Sequence, residues 1–99
     1  MALIVQKYGG SSVADAGAIR NVARRIADSK AACNRTVAVV SAMGNTTDDL
    51  IALAGQISDS PDPREMDVLL STGELVSCTL LAMAIRSMGT DAISLSGAQ

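Results

Sequence analysis

Apolar and polar positions fall in blocks along the chain, and the blocks change period. Ala2 to Lys7 is a short apolar run that ends in Tyr8-Gly9-Gly10-Ser11-Ser12, the pattern of a buried strand running into a glycine-rich turn. From Ala18 to Lys30, Ile19, Val22, Ala23, Ile26 and Ala27 recur at helical spacing. Arg20, Arg24, Arg25 and Asp28 take the other side, which predicts an amphipathic helix. Thr36 to Ser41 is apolar, β-branched and bounded by polar residues, as expected of a central parallel strand. Two strands flanking one helix form a βαβ unit.

Thr46 or Thr47 is placed to cap the next helix, with Asp48 and Asp49 in its first turn and Leu50, Ile51, Leu53, Ala54 and Ile57 facing inward. That helix fades between Gly55 and Ser60. Asp62-Pro63-Arg64-Glu65 combines a capping side chain, a proline at the first helical position and an acid at the third, and so starts another helix. This one is expected to run to Leu70, break at Ser71-Thr72-Gly73, resume from Glu74 to Met88 and stop at Gly89. Ala92 to Leu95 reads as a third strand leading into Ser96-Gly97-Ala98-Gln99. The order β-α-β-α-α-β predicts an α/β layered domain with a mainly parallel sheet. Three strands do not readily cover two faces, so the chain is expected to be part of a larger domain.

The 99 residues allow one small domain, and the sole aromatic is Tyr8 against 16 alanines. The core must therefore come from Ala, Leu, Val, Ile and Met. No apolar run approaches the ~20 residues of a membrane span, and the opening residues lack the basic flank and long apolar stretch of a signal peptide, so a soluble, cytoplasmic chain is expected. Eight basic residues against ten acidic ones give a net charge of −2, with only Arg24 and Arg25 adjacent. No nucleic-acid or membrane-surface partner is expected from that distribution. The absence of histidine and the presence of only Cys33 and Cys78, 45 positions apart, exclude a histidine-based triad and a zinc cluster. Both cysteines are expected to be free and buried.

Three clusters could carry chemistry. Lys7-Tyr8-Gly9-Gly10-Ser11-Ser12 sits at the carboxyl end of the first strand, where open α/β sheets bind ligands. Adjacent glycines let backbone N–H groups approach phosphate oxygens, and a strand-end lysine offsets their charge; the plain alternative is a turn with two solvated serines. It is neither a Walker loop nor a GxGxxG fingerprint. Ser41-Ala42-Met43-Gly44-Asn45-Thr46-Thr47 follows the second strand and precedes a helix, so its hydroxyls and helix-start N–H groups suit an anion. Alternatively Thr46 or Thr47 only caps the helix. Ser71-Thr72-Gly73-Glu74 combines a hydroxyl pair with a carboxylate at an expected helix restart, where the plain alternative is a carboxylate favoured by the helix dipole.

K-Y-G-G-S-S at 7–12, V-V-S-A-M-G at 39–44 followed by T-T-D-D-L, and R-E-M-D-V-L-L-S-T-G-E at 64–74 together resemble the aspartokinases. The resemblance extends over essentially the whole chain, and MALIVQKYGGSSVADA is similar to actinobacterial members. It implies the amino-acid kinase fold, a three-layer α/β/α sandwich with a mainly parallel sheet, present here as its amino-terminal portion. It also implies transfer of the ATP γ-phosphoryl group to the side-chain carboxylate of L-aspartate, the entry step towards lysine, threonine and methionine. Carried over by motif, Lys7, Tyr8, Gly9, Gly10 and Ser11 belong to the ATP-phosphate side, with Lys7 catalytic, and Ser41, Thr47 and Glu74 to the aspartate side. Mg2+ would be held by the nucleotide, with no protein ligands of its own identified. Family enzymes continue into a second half that carries further catalytic groups and into ACT-type regulatory domains through which they oligomerise. The rival readings are a non-catalytic fragment or binding module and a paralogous kinase acting on another carboxylate or phosphate; KYGGSS together with STGE argues against the paralogues.

Overall fold

The computed structural model describes residues 2–95. Strands β1 (Leu3–Tyr8) and β2 (Arg35–Val40) pair in parallel from Leu3 opposite Arg35 to Tyr8 opposite Val40. Backbone bonds lengthen the ladder at both ends, Arg35 N–H donating to Ala2 O at 2.7 Å and Ser41 N–H to Tyr8 O at 3.0 Å. The strands therefore end level with each other, and both expected ligand loops leave from the same edge. Between them runs helix α1 (Ala16–Ala31), which begins two residues before the expected Ala18 because the Asp15 carboxylate accepts from Ala18 N–H at 2.8 Å.

Period-2 alternation divides the sheet. Tyr8, Ala38 and Val40 face a core formed with Val13, Ile19, Val22, Ala23, Ile26, Leu81 and Ile85. Leu3, Val5, Val37 and Val39 point the other way and are exposed. The described residues thus build a helical layer on one face of a two-stranded parallel sheet, with the opposite face bare. A radius of gyration of 15.2 Å and extents of 50 × 27 × 18 Å fit that open arrangement, since a closed globule of this length has a radius of about 13 Å.

The third and fourth helical segments of the sequence are one element. Helix α3 (Pro63–Ser87) opens as predicted, with the Asp62 carboxylate accepting from Glu65 N–H at 3.0 Å and Pro63 in the first turn. It then passes through Ser71-Thr72-Gly73 without a break. The hydroxyls that predicted an interruption are absorbed by the helix itself, Ser71 Oγ donating to Val68 O at 2.7 Å and Thr72 Oγ1 to Leu69 O at 2.6 Å. Continuity also changes the membrane reading, because a 25-residue helix with an 18-residue stretch of mean hydropathy 1.8 is long and apolar enough to cross a bilayer. In this fold it lies along α1, with Gly73, Ser77, Leu81 and Ile85 buried.

Helix α2 (Thr46–Ile57) was expected to turn Leu50, Ile51, Leu53, Ala54 and Ile57 inward, but none of its residues is buried; Leu50 and Ala54 are half-covered. It packs mainly on α3, so only a narrow stripe is shielded. The expected strand from Ala92 to Leu95 is not formed: these residues are coil without a ladder to β2. Arg86 holds the start of this coil, donating to Ala92 O at 3.2 Å and lying 3.9 Å from Asp91. Residues 96–99 lie outside the description. Both cysteines are free as expected, but Cys33 is exposed and Cys78 half-buried.

Candidate functional site

All three sequence clusters reach the carboxyl edge of the sheet. Lys7 lies opposite Val39 in the ladder, on the bare face, and is exposed. After Tyr8 the chain enters a tight 3₁₀ turn over Gly10–Val13, in which Ser12 N–H donates to Gly9 O at 3.1 Å. This is a turn, as the plain reading held, yet it does not need its glycines for shape. Gly9 is extended at φ −78°, and a methyl group built there would meet nothing within 4 Å. One built at Gly10 would make only ordinary contact with Ala42 O at 3.4 Å and Gly44 O at 3.8 Å. The Ser11 side chain is exposed beside them.

Tyr8 turns its side chain away from this loop. Its ring is 8% exposed within the core, and its hydroxyl donates to Gln6 Oε1 at 2.8 Å. Inward-facing alternation in β1 sends the side chain beneath the sheet edge, so only the Tyr8 backbone reaches the loop.

Ser41 is half-buried and tied to β1 through its N–H bond to Tyr8 O. The loop after it turns through Gly44 at φ +43°, where a Cβ would stand 3.2 Å from Ala14 O. Thr46 N–H is taken by Met43 O at 2.8 Å, and α2 is preceded by Asn45 with no side-chain capping bond. The expected cap by Thr46 or Thr47 is therefore not made. Capping needs the side chain to stand outside the first turn, and both threonines are already inside it. Thr47 is half-buried, and its side chain makes no capping bond.

Glu74 stands eleven residues beyond Pro63, in the middle of α3. The helix-dipole explanation fails there, because that effect fades beyond the first turn. Glu74 is the only charged residue between Asp67 and Arg86, and neither it nor Lys7 has an ion-pair partner among the described residues, whose salt bridges are Arg64–Glu65 and Arg86–Asp91. Its side chain lines an open groove of about 830 Å3 along β2, together with Val39, Val40, Ser71 and Thr72.

Ala42 joins the clusters. It is buried, its carbonyl oxygen faces Gly10, and its Cβ would be 2.9 Å from a Cβ on Gly73. Sequence reading passed over Ala42 and treated Gly73 as a helix breaker. The available signal was the small pair itself, Ala42 and Gly73, each adjacent to a polar candidate. Among the described residues, no group of three or more His, Cys, Asp or Glu is placed to hold a metal ion.

Comparison with known proteins gives one answer at every level. The family described as the amino acid kinase family matches residues 2–99. The aspartokinase of Mycolicibacterium smegmatis is 63% identical over all 99 residues, that of Mycobacterium tuberculosis 60% and that of Corynebacterium glutamicum 56%, and in each case the chain spans 24% of the relative's length. A crystal structure of aspartate kinase from Synechocystis superimposes on 98% of the chain with a TM-score of 0.95 and 55% identity, the match covering 17% of that structure. A chain matched from Ala2 to Gln99 by one family, and aligned with the amino-terminal part of its aspartokinases, belongs to the amino acid kinase family.

Proposed function

We propose that residues 1–99 form the amino-terminal portion of the catalytic domain of an aspartate kinase. The reaction is attack by a side-chain carboxylate oxygen of L-aspartate on the γ-phosphorus of ATP. A new O–P bond forms, the bond to the β–γ bridging oxygen breaks, and ADP leaves with that electron pair, giving 4-phospho-L-aspartate. The observation that carries the reading is the meeting of the Gly9–Gly10, Ser41–Thr47 and Gly73–Glu74 segments around Ala42.

Both reactants are anionic, so the site must offset repulsion and stabilise charge on the transferring phosphoryl group. Lys7 supplies a cation at the strand end, and Gly9, Gly10 and Ser11 offer N–H and hydroxyl donors to phosphate oxygens. That neither glycine is demanded by local shape supports close approach by a ligand. In this reading Ser41 and Thr47, on the other side, donate to a carboxylate, and Glu74, which has no salt bridge among the described residues, receives the α-ammonium of the amino acid. Mg2+ would come with the nucleotide and would supply neutralisation of the phosphate charge. A cytoplasmic biosynthetic role belongs to the same reading, in which α3 is a core helix.

The test is a full-length aspartokinase carrying this chain as its first 99 residues, assayed for ADP release with Mg·ATP and a series of amino acids. Release that depends on L-aspartate is expected. Turnover with glutamate or acetylglutamate and none with aspartate would assign the site to a paralogous activity.

A further inference from the structure

Gly73 occupies the middle of a 25-residue helix, where glycine weakens the helix relative to alanine. Its backbone conformation does not call for glycine, but its surroundings do. A Cβ at this position would lie 2.9 Å from Ala42 Cβ, 3.2 Å from Thr46 Cγ2 and 3.9 Å from Leu50 Cδ1. The first distance is shorter than packed carbon atoms tolerate, so either α3 or the β2–α2 loop would have to move.

The loop has little room to retreat. Ser41 N–H is bonded to Tyr8 O at 3.0 Å, Ala42 O lies 3.4 Å from where a Cβ on Gly10 would stand, and Ala14 O lies 3.2 Å from where one on Gly44 would stand. Helix α3, by contrast, is anchored in the core through Leu81 and Ile85, two to three turns beyond Gly73. Added bulk at Gly73 therefore swings the amino-terminal half of α3 away from the loop and takes Glu74 with it.

We propose that Gly73 is a positioning residue for the amino-acid half of the site. Its bare Cα lets α3 close on Ala42 until the two touch, and that contact sets the gap between the Glu74 carboxylate and the Ser41 and Thr47 hydroxyls. The inference rests on the aspartate-kinase reading, because only a substrate held by charge at both ends makes the gap matter. A small amino acid with an ammonium at one point and a carboxylate at another is recognised by two fixed partners, and misplacing one weakens both contacts. ATP, bound through the opposite side of Ala42, should be largely indifferent to the same shift.

The experiment uses the full-length aspartokinase carrying this chain. Gly73→Ala is expected to raise the aspartate KM about 5- to 50-fold while the ATP KM stays within about 2-fold, a split that general destabilisation does not produce. Adding Ala42→Gly, which removes the opposing carbon, is expected to recover most of the aspartate KM. If Gly73→Ala alone fails to fold, Ala42→Ser makes a smaller push on the same contact and is expected to shift the aspartate KM in the same direction. An unchanged aspartate KM in a folded variant, an equal rise in both KM values, or no recovery in the double variant would overturn the proposal. Failure of the underlying reading looks different: an unsubstituted enzyme that uses another amino acid replaces aspartate as the substrate, and the KM for that amino acid then reads the effect of Gly73. An unsubstituted enzyme inactive with every amino acid overturns both.

Discussion

Cys33 and Gly89 occupy the same position in two copies of one helix ending. After α1, Cys33 N–H donates to Lys30 O at 2.9 Å and Asn34 N–H to Ser29 O at 3.2 Å. After α3, Gly89 N–H donates to Arg86 O at 3.0 Å and Thr90 N–H to Ile85 O at 3.3 Å. Both residues are left-handed, Cys33 at φ 65° and Gly89 at φ 85°, as the Schellman motif requires. Glycine adopts that conformation without a Cβ penalty, and cysteine does not.

Cys33→Gly is accordingly expected to stabilise the protein by about 0.5–1 kcal/mol, the relief of left-handed strain less the added entropy of the unfolded chain. Gly89→Ala is expected to destabilise by about 1 kcal/mol for the converse reason. Thermal melting of the two variants beside the parent protein checks the pair. A lower melting temperature for Cys33→Gly would mean that the exposed thiol has contacts worth more than the strain.

Glu74→Gln should weaken aspartate binding and little else. The substitution keeps the shape of the side chain and removes the charge that faces an ammonium group. Losing one charge-assisted hydrogen bond of roughly 1.5–3 kcal/mol corresponds to a rise of about 10- to 150-fold in the aspartate KM. Because Glu74 lies far inside α3 and has no salt bridge among the described residues, the melting temperature is expected to hold. A fall in melting temperature with an unchanged aspartate KM would remove Glu74 from the substrate site.

Gly9→Ala separates turn geometry from phosphate contact. With φ at −78° and open space around the built Cβ, stability is expected to change by no more than about 0.5 kcal/mol. A methyl group beside the N–H donors would nevertheless hold phosphate oxygens away. The expected loss in kcat/KM for ATP is about 10-fold or more. Wild-type kinetics would show that this glycine is only part of a turn.

The bare sheet face carries its own expectation. Leu3, Val5, Val37 and Val39 are exposed side by side, and strands with free edges and apolar faces associate. The isolated 99-residue chain is expected to self-associate and to release no ADP from ATP and aspartate. Val37→Thr with Val39→Thr, which keeps β-branching while lowering apolarity, should shift light scattering towards monomer. A monodisperse parent chain, or one that turns over, contradicts the corresponding half of this expectation.

Local rules in the sequence determined much of this protein. The period of Ile19, Val22, Ala23 and Ile26 fixed α1 and the face it buries; Asp62-Pro63 fixed the start of α3, and Gly89 its end. The KYGGSS, VVSAMG and STGE motifs identified the family, because each combines residue types in an order that periodicity alone does not demand. Tertiary structure decided what depends on distant partners. Ser71 and Thr72 read as helix breakers because their hydroxyls compete for backbone carbonyls, yet within a packed helix those bonds point back along its own axis. Ala92–Leu95 has the composition of a strand, but a strand exists only through a ladder, and β2 does not pair with it. The alternation in β1 marked Tyr8 as buried or exposed only once the side of the sheet covered by α1 was known. The contact of Gly73 with Ala42 spans 31 positions and left no periodic trace, because close approach is a property of two surfaces and each sequence segment describes only one.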